Sequence, residues 1–147
     1  MKKVVVTGGL GFIGYELIKQ LNVEQLYIFE NFVEPTEKVA MKMQRYQDFL
    51  KGLTHDNPRV MLMGFKNMTV LPDEFWMDID MVFHLGAISN TRHSHWDSLQ
   101  QLNIDFTTNL LYKCSKFRIP VINGSSASVY GNTDEQCVEG ITKEHPL

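Results

Sequence analysis

Apolar residues in this chain follow two patterns that take turns from the N-terminus onward. Short unbroken runs, at 4–7, 25–30, 59–63, 80–87 and 121–125, are bounded by glycine, proline or acidic turn residues and read as strands. Between them, apolar positions return at helical spacing. Phe12, Ile13, Leu17, Ile18 and Leu21 predict a helix over 12–21. Val39, Met43, Tyr46 and Leu50 predict the buried stripe of a helix from Pro35 to about Gly52. Leu99, Leu102, Phe106 and Leu110 predict one face of a helix that Asp97 or Ser98 caps and that ends near Cys114 or Phe117. Residues 72–76 read as a helical turn and His55-Asp56-Asn57-Pro58 as a loop. Strands that alternate with helices predict an α/β fold: an open parallel sheet with helices on both faces, in strand order 3-2-1-4-5.

The first unit carries the sharpest local chemistry. Val4-Val5-Val6 runs into Thr7-Gly8-Gly9-Leu10-Gly11-Phe12-Ile13-Gly14, and a helix pattern follows at once. Strand, tight glycine turn and helix start come in the order that a dinucleotide pyrophosphate requires, because the first helical N–H groups and the positive dipole end then face the anion. Gly8 suits the turn, Gly11 leaves the phosphate room, and Gly14 lets helix and strand approach. Glycines of this kind also occur in plain surface turns; the acid that closes the second strand, Glu30 with Asn31 after it, separates the two readings. A carboxylate about 20 residues past the turn accepts hydrogen bonds from the adenosine ribose and disfavours a 2′-phosphate. NAD is therefore expected, with NADP admitted by Lys38, Lys42 and Arg45 downstream.

Further along, the fourth run ends in Leu85-Gly86-Ala87, whose small residues leave space at the sheet crevice. His84 reads most simply as a core histidine with satisfied nitrogens. His93-Ser94-His95 with Asp97 admits a metal reading, but near neighbours on a polar loop are also ordinary surface residues, and no metal site is assigned. Ser125 and Ser126 fall at the C-terminal end of the fifth run, where such sheets carry their chemistry.

Composition narrows the class. The chain has 147 residues, 44% hydrophobic and 21% charged, which suits one soluble domain with a real core. A net charge of −3 supplies no basic stripe for nucleic acid. No run of about 18 apolar residues is present, so no membrane span is expected. Cys114 and Cys137 lack metal-type spacing, which suggests a reduced, cytoplasmic protein.

Taken in order, Thr7 to Gly14, Glu30, His84-Leu85-Gly86-Ala87, Asn103, Asn109-Leu110-Leu111 and Ser125-Ser126-Ala127-Ser128-Val129-Tyr130-Gly131 resemble the extended short-chain dehydrogenase/reductases, specifically the nucleotide-sugar epimerase/dehydratase family. The stretch from His84 to Gly131 is most similar to the ADP-glyceromanno-heptose 6-epimerases. The resemblance implies a Rossmann-like NAD(P)-binding domain over residues 1–131, cut short of the later strands, and a polar tail over 132–147. It implies cofactor contacts from Gly8, Gly11, Phe12, Ile13, Gly14, Glu30, Asn31, Leu85, Gly86, Ala87 and Asn103. Ser89, Ser125 and Ser126 fall to the nucleotide-sugar substrate, with Ser126 as the catalytic serine. The implied chemistry is transient hydride transfer from a sugar carbon to nicotinamide.

Two departures qualify that picture. Met63-Gly64-Phe65-Lys66 stands where the family carries an acidic-hydrophobic pair that holds adenine, so Phe65 or a backbone group must serve instead. The family's Tyr-x-x-x-Lys pair is expected past Pro146-Leu147. Tyr15 and Lys19 match the pattern, but on the helix behind the glycine turn, and Tyr130 is followed by Asp134. The polypeptide is therefore expected to be inactive alone, and its standing as an enzyme stays open. The alternative is a non-catalytic dinucleotide-binding or interaction module. Apolar surface beside the fifth strand and on the Leu99/Leu102/Phe106 helix is expected to drive homo-oligomerisation.

Overall fold

Val4, Val5 and Val6 are almost wholly buried, and this strand, β1 (Lys3–Thr7), runs through the centre of a five-stranded sheet. The structure is a computed structural model that describes residues 2–33, 35–54, 58–68, 70–90 and 95–126. Around β1 lie β2 (Gln25–Glu30), β3 (Arg59–Gly64), β4 (Met81–His84) and β5 (Val121–Asn123), all parallel, in the order β3-β2-β1-β4-β5. The register sets Thr7 beside Phe29 on one side and His84 on the other. The order reverses direction between β1 and β4, so the crevice beyond their C-terminal ends is the topological switch point.

Alternation along the strands splits the core into two layers. Val4, Val6, Leu26 and Ile28 pack with Ile18 of α1 (Phe12–Gln20) and Phe49 of α2 (Thr36–Lys51). Val5, Tyr27, Phe29 and Val82 face the other way, onto α3 (Phe65–Met68), α4 (Asp73–Met77) and α6 (Phe106–Phe117) through Phe65, Trp76, Phe106 and Leu110. Asp73 fastens α4 to α6 by ion pairs to Lys113 and Lys116, at 2.8 and 2.5 Å. Among the described residues no helix is long and apolar enough to cross a membrane.

The sheet order matches the expectation; several helical details do not. The buried side of α2 carries Lys42 and Phe49, whereas Met43 and Leu50 are exposed. Lys42 turns inward because its ammonium meets a buried carboxylate, while Val39 and Tyr46 of the expected stripe stay half-buried and Tyr46 packs against the core. The helix over 96–117 begins two or three residues early. It opens as α5 (Trp96–Leu99) with His95 at its N-cap, loosens into a π-helical stretch, Gln100–Asp105, and tightens into α6. Asp97 and Ser98 thus lie inside the first turn rather than at the cap. Phe106 is core, and the large apolar side chains left outside on this helix are Trp96, Ile104, Leu111 and Tyr112. Residues 55–57, His93-Ser94 and everything from Ala127 onward, Tyr130 and the polar tail included, lie outside the described residues.

Candidate functional site

The glycine turn is built by close contact. Gly8 has φ +69°, a left-handed conformation that side-chain-bearing residues rarely adopt. Its N–H donates to Phe29 O at 2.8 Å, and Gly11 N–H returns to Gly8 O at 2.9 Å. A Cβ on Gly14 would lie 2.8 Å from Gly9 Cα, so α1 packs onto the turn only because residue 14 has none. The helix's first bond runs from Tyr15 N–H to Gly11 O. The N–H groups of Phe12, Ile13 and Gly14 therefore lead the helix without intrahelical acceptors, as an anion site requires.

At the end of β2, Glu30 is 3% exposed and turned into the protein. One carboxylate oxygen accepts Leu10 N–H at 3.0 Å; the other accepts Asn31 N–H and the Lys42 ammonium, both at 2.9 Å. Arg45, one turn beyond Lys42, donates to Leu10 O at 2.8 Å. Both ends of Leu10 are thus held, by Glu30 on the nitrogen side and by α2 on the oxygen side. The acid read from the sequence as a ribose acceptor already anchors the glycine turn. Lys42 is the partner that sequence reasoning missed. Its signal was present in the i, i+4, i+7 spacing of Lys38, Lys42 and Arg45, which puts three cations on one side of α2.

The wall opposite is the segment after β4. Thr7 Oγ1 accepts Gly86 N–H at 3.0 Å, and Thr7 O accepts Leu85 N–H at 3.1 Å. His84 is buried between Thr7 Oγ1, at 2.6 Å from Nδ1, and Thr107 Oγ1, at 2.8 Å from Nε2. Burial holds its pKa below the ordinary histidine value. Asn103, from the π-helical stretch, accepts Ile88 N–H at 2.8 Å and donates to Ile88 O at 3.0 Å. Its amide is committed to the loop backbone at both ends. Phe65 stacks on Phe106 with ring centroids 4.4 Å apart and fills the space beside Gly86, where a Cβ would lie 2.6 Å from Phe65 Cζ.

Between these walls lies a cleft of about 530 Å³. It gathers Gly8, residues 10–14, Glu30, Asn31 and residues 85–89, together with Ser125. Lys38, Lys42 and Arg45 line its α2 side, and Phe65 and Leu102 also reach it. Ser126 is not among the lining residues, and neither is Asn103. Tyr15 and Lys19 sit on the back of α1, cation over ring at 4.8 Å, and border a separate hollow of about 290 Å³. Among the described residues no group of three His, Cys, Asp or Glu side chains could hold a metal ion. The main cleft is of the size that cofactor sites occupy, and its walls supply backbone donors, cations and apolar surface.

Comparison with known proteins agrees with this geometry. The profile of the NAD dependent epimerase/dehydratase family matches residues 4–147. The chain is 28% identical over 147 residues to ADP-L-glycero-D-manno-heptose-6-epimerase of Brachyspira hyodysenteriae (strain ATCC 49526 / WA1), covering 98% of this chain and 43% of that protein. In three dimensions it is similar to UDP-glucuronic acid 4-epimerase from Bacillus cereus in complex with NAD, with a TM-score of 0.70 and 27% identity over 90% of this chain and 42% of that one. The fold is shared with Helicobacter pylori ADP-L-glycero-D-manno-heptose-6-epimerase at a TM-score of 0.65 and 23% identity, covering 95% and 43% of the two chains. The chain therefore spans well under half the length of these relatives.

Proposed function

The chain belongs to the NAD dependent epimerase/dehydratase family, and on that premise we propose that it is the dinucleotide-binding portion of a nucleotide-sugar epimerase or dehydratase. The observation that carries this reading is the cleft at the switch point, where the glycine turn and the first N–H groups of α1 meet the segment after β4. A pyrophosphate fits there because Gly11 puts no side chain in its way, while Gly8 and Gly14 let the turn close onto Gly86 and onto α1. A nicotinamide dinucleotide bound there would supply a hydride acceptor for a sugar carbon.

The chain's own residues divide the remaining work. Phe12, Ile13 and Gly14 offer N–H groups to phosphate; Leu85, Gly86 and Ala87 form the nicotinamide wall. Asn103 serves by fixing Ile88 rather than by touching the cofactor. Ser89, Ser125 and Ser126 lie toward the sugar, and Ser126 holds the reacting hydroxyl. Phe65 offers apolar surface where relatives would hold adenine with an acid. The ion pair with Lys42 offsets the charge that would make Glu30 repel a 2′-phosphate, and Lys38 and Arg45 add to it. We assign NAD as cofactor, because an acid closes β2, and NADP as an accepted alternative, because these cations offset that acid.

The chain's two Tyr-x-x-x-Lys pairs, Tyr15 to Lys19 on α1 and Tyr112 to Lys116 on α6, both lie outside the cleft, so neither serves as general base there. The polypeptide by itself is accordingly a binding unit without turnover. Thermal unfolding with NAD or NADP, paired with a nucleotide-sugar epimerisation assay, tests the reading. A rise in melting temperature with either dinucleotide, and no epimer formed, is expected. No shift with either at millimolar concentration would overturn the cofactor assignment, and sustained epimer production would overturn the claim of inactivity.

A further inference from the structure

The histidine beneath the cleft does more than fill the core. Thr7 Oγ1 accepts Gly86 N–H, and its single hydroxyl proton needs an acceptor; among the described residues that acceptor is His84 Nδ1 at 2.6 Å. Nδ1 is therefore unprotonated, and Nε2 carries the hydrogen donated to Thr107 Oγ1. This tautomer threads one chain of hydrogen bonds from α6 through His84 and Thr7 to Gly86. Gly86 is in turn the surface on which the phosphate turn rests, since a Cβ on Gly8 would come within 2.7 Å of its Cα.

We propose that His84 is a positioning residue: its neutral imidazole, acting through Thr7, holds Gly86 in place under the glycine turn, so that a proton taken up by the ring loosens dinucleotide binding. This rests on the reading that the cleft receives a dinucleotide. On protonation Nδ1 becomes a donor aimed at the same Thr7 oxygen, and the Thr7 hydroxyl proton is left without an acceptor in a site 0% exposed. Turning the O–H alone lets the oxygen accept from both the ring and Gly86 but leaves its hydrogen buried without an acceptor. Relief comes by moving the Thr7 side chain, which carries Oγ1 away from Gly86 N–H. The groups that meet the ring carry no charge: Thr7 from β1, Phe106 and Thr107 from α6, and Asn123 in register on β5. No carboxylate among them would hold the imidazolium, and burial alone already lowers the ring's pKa.

The test uses the full 147-residue chain, labelled with 15N, with the Gly86 amide and the His84 ring nitrogens followed from about pH 7.5 to about pH 5 beside the Kd for NAD. The Gly86 amide is expected to move with the His84 ring, with a midpoint below 6.5. The Kd is expected to rise beneath that midpoint, by at most about tenfold per pH unit. His84→Asn offers Thr7 an acceptor that does not titrate, and it should flatten both curves. The wild-type titration decides the matter even if H84N fails to fold. A Gly86 amide indifferent to His84, or an NAD Kd that stays constant while Gly86 titrates, would overturn the proposal. If Gly86 follows His84 but NAD binds at no pH, the dinucleotide reading falls while the positioning of Gly86 by His84 stands.

Discussion

Gly8 and Gly86 touch backbone to backbone: a methyl group on Gly8 would lie 2.7 Å from Gly86 Cα and 2.8 Å from Gly86 N. Two segments far apart in the chain thus meet at the one place where neither tolerates a side chain. The glycine turn and the far wall of the cleft are a single packed object. Gly8→Ala combines this clash with a left-handed φ and should cost roughly 1–3 kcal/mol, with loss of dinucleotide binding, read by urea unfolding and NAD titration.

Gly86 is matched to Phe65 as well, because an added Cβ would meet Phe65 Cζ at 2.6 Å. The ring is buried against Phe106 and has little freedom to retreat. Gly86→Ala alone should destabilise, and Phe65→Leu should partly rescue it. A double-mutant cycle with a coupling of about 0.5 kcal/mol or more is expected; strictly additive effects would contradict the contact.

Lys42 and Glu30 form a buried pair with side chains 10% and 4% exposed. Lys42→Met leaves the carboxylate of Glu30 inside without its cation, which should cost roughly 3–5 kcal/mol in urea unfolding. Glu30→Met with Lys42→Met should recover much of that loss in stability, though not the anchoring of Leu10. If K42M is as stable as wild type, the pair does not hold the α2 corner.

The lowered pKa of His84 fixes the sign of a pH effect. The unfolded chain binds a proton at the ordinary value, 6.5, and the folded chain does so only at lower pH. Between the two, the unfolded state carries more protons, so stability falls as pH drops through that window and levels off below the folded pKa. Unfolding free energies measured from about pH 7.5 downward should show this slope in wild type, and His84→Asn should remove its share.

Cys114 lies in the core at 2% exposure, and burial pushes its thiol up to about 11. In a Cys137→Ser background, a thiol-directed disulfide reagent should react with the native protein only at the rate of unfolding, and at once in denaturant. Rapid labelling of the folded chain would contradict its placement.

Ile104, Leu111 and Tyr112 on the helix over 96–117, and Ile122 on β5, leave apolar surface in water. Concentration-dependent self-association follows from that exposure and should weaken in Leu111→Lys. A constant monomer mass in light scattering across the concentration range would refute it.

The sequence by itself determined the sheet. Three valines before a glycine turn and unbroken apolar runs between helical patterns imply a parallel sheet with helices on both faces, and the expected order 3-2-1-4-5 is the one observed. It also placed the glycine turn, Glu30 and the segment from Leu85 to Ser89 along what proved to be one cleft, because those positions close strands whose ends a parallel sheet brings together. Pairing across the chain was beyond it. Local spacing put Lys42 on one side of α2 with Lys38 and Arg45, but it could not reveal that Glu30 would be its partner, that Phe65 would take the space left by Gly86, or that Asn103 would grip Ile88. Each of these is a contact between segments with no common periodicity. Only the folded chain, in which a buried charge or an empty volume must find its partner, decides them.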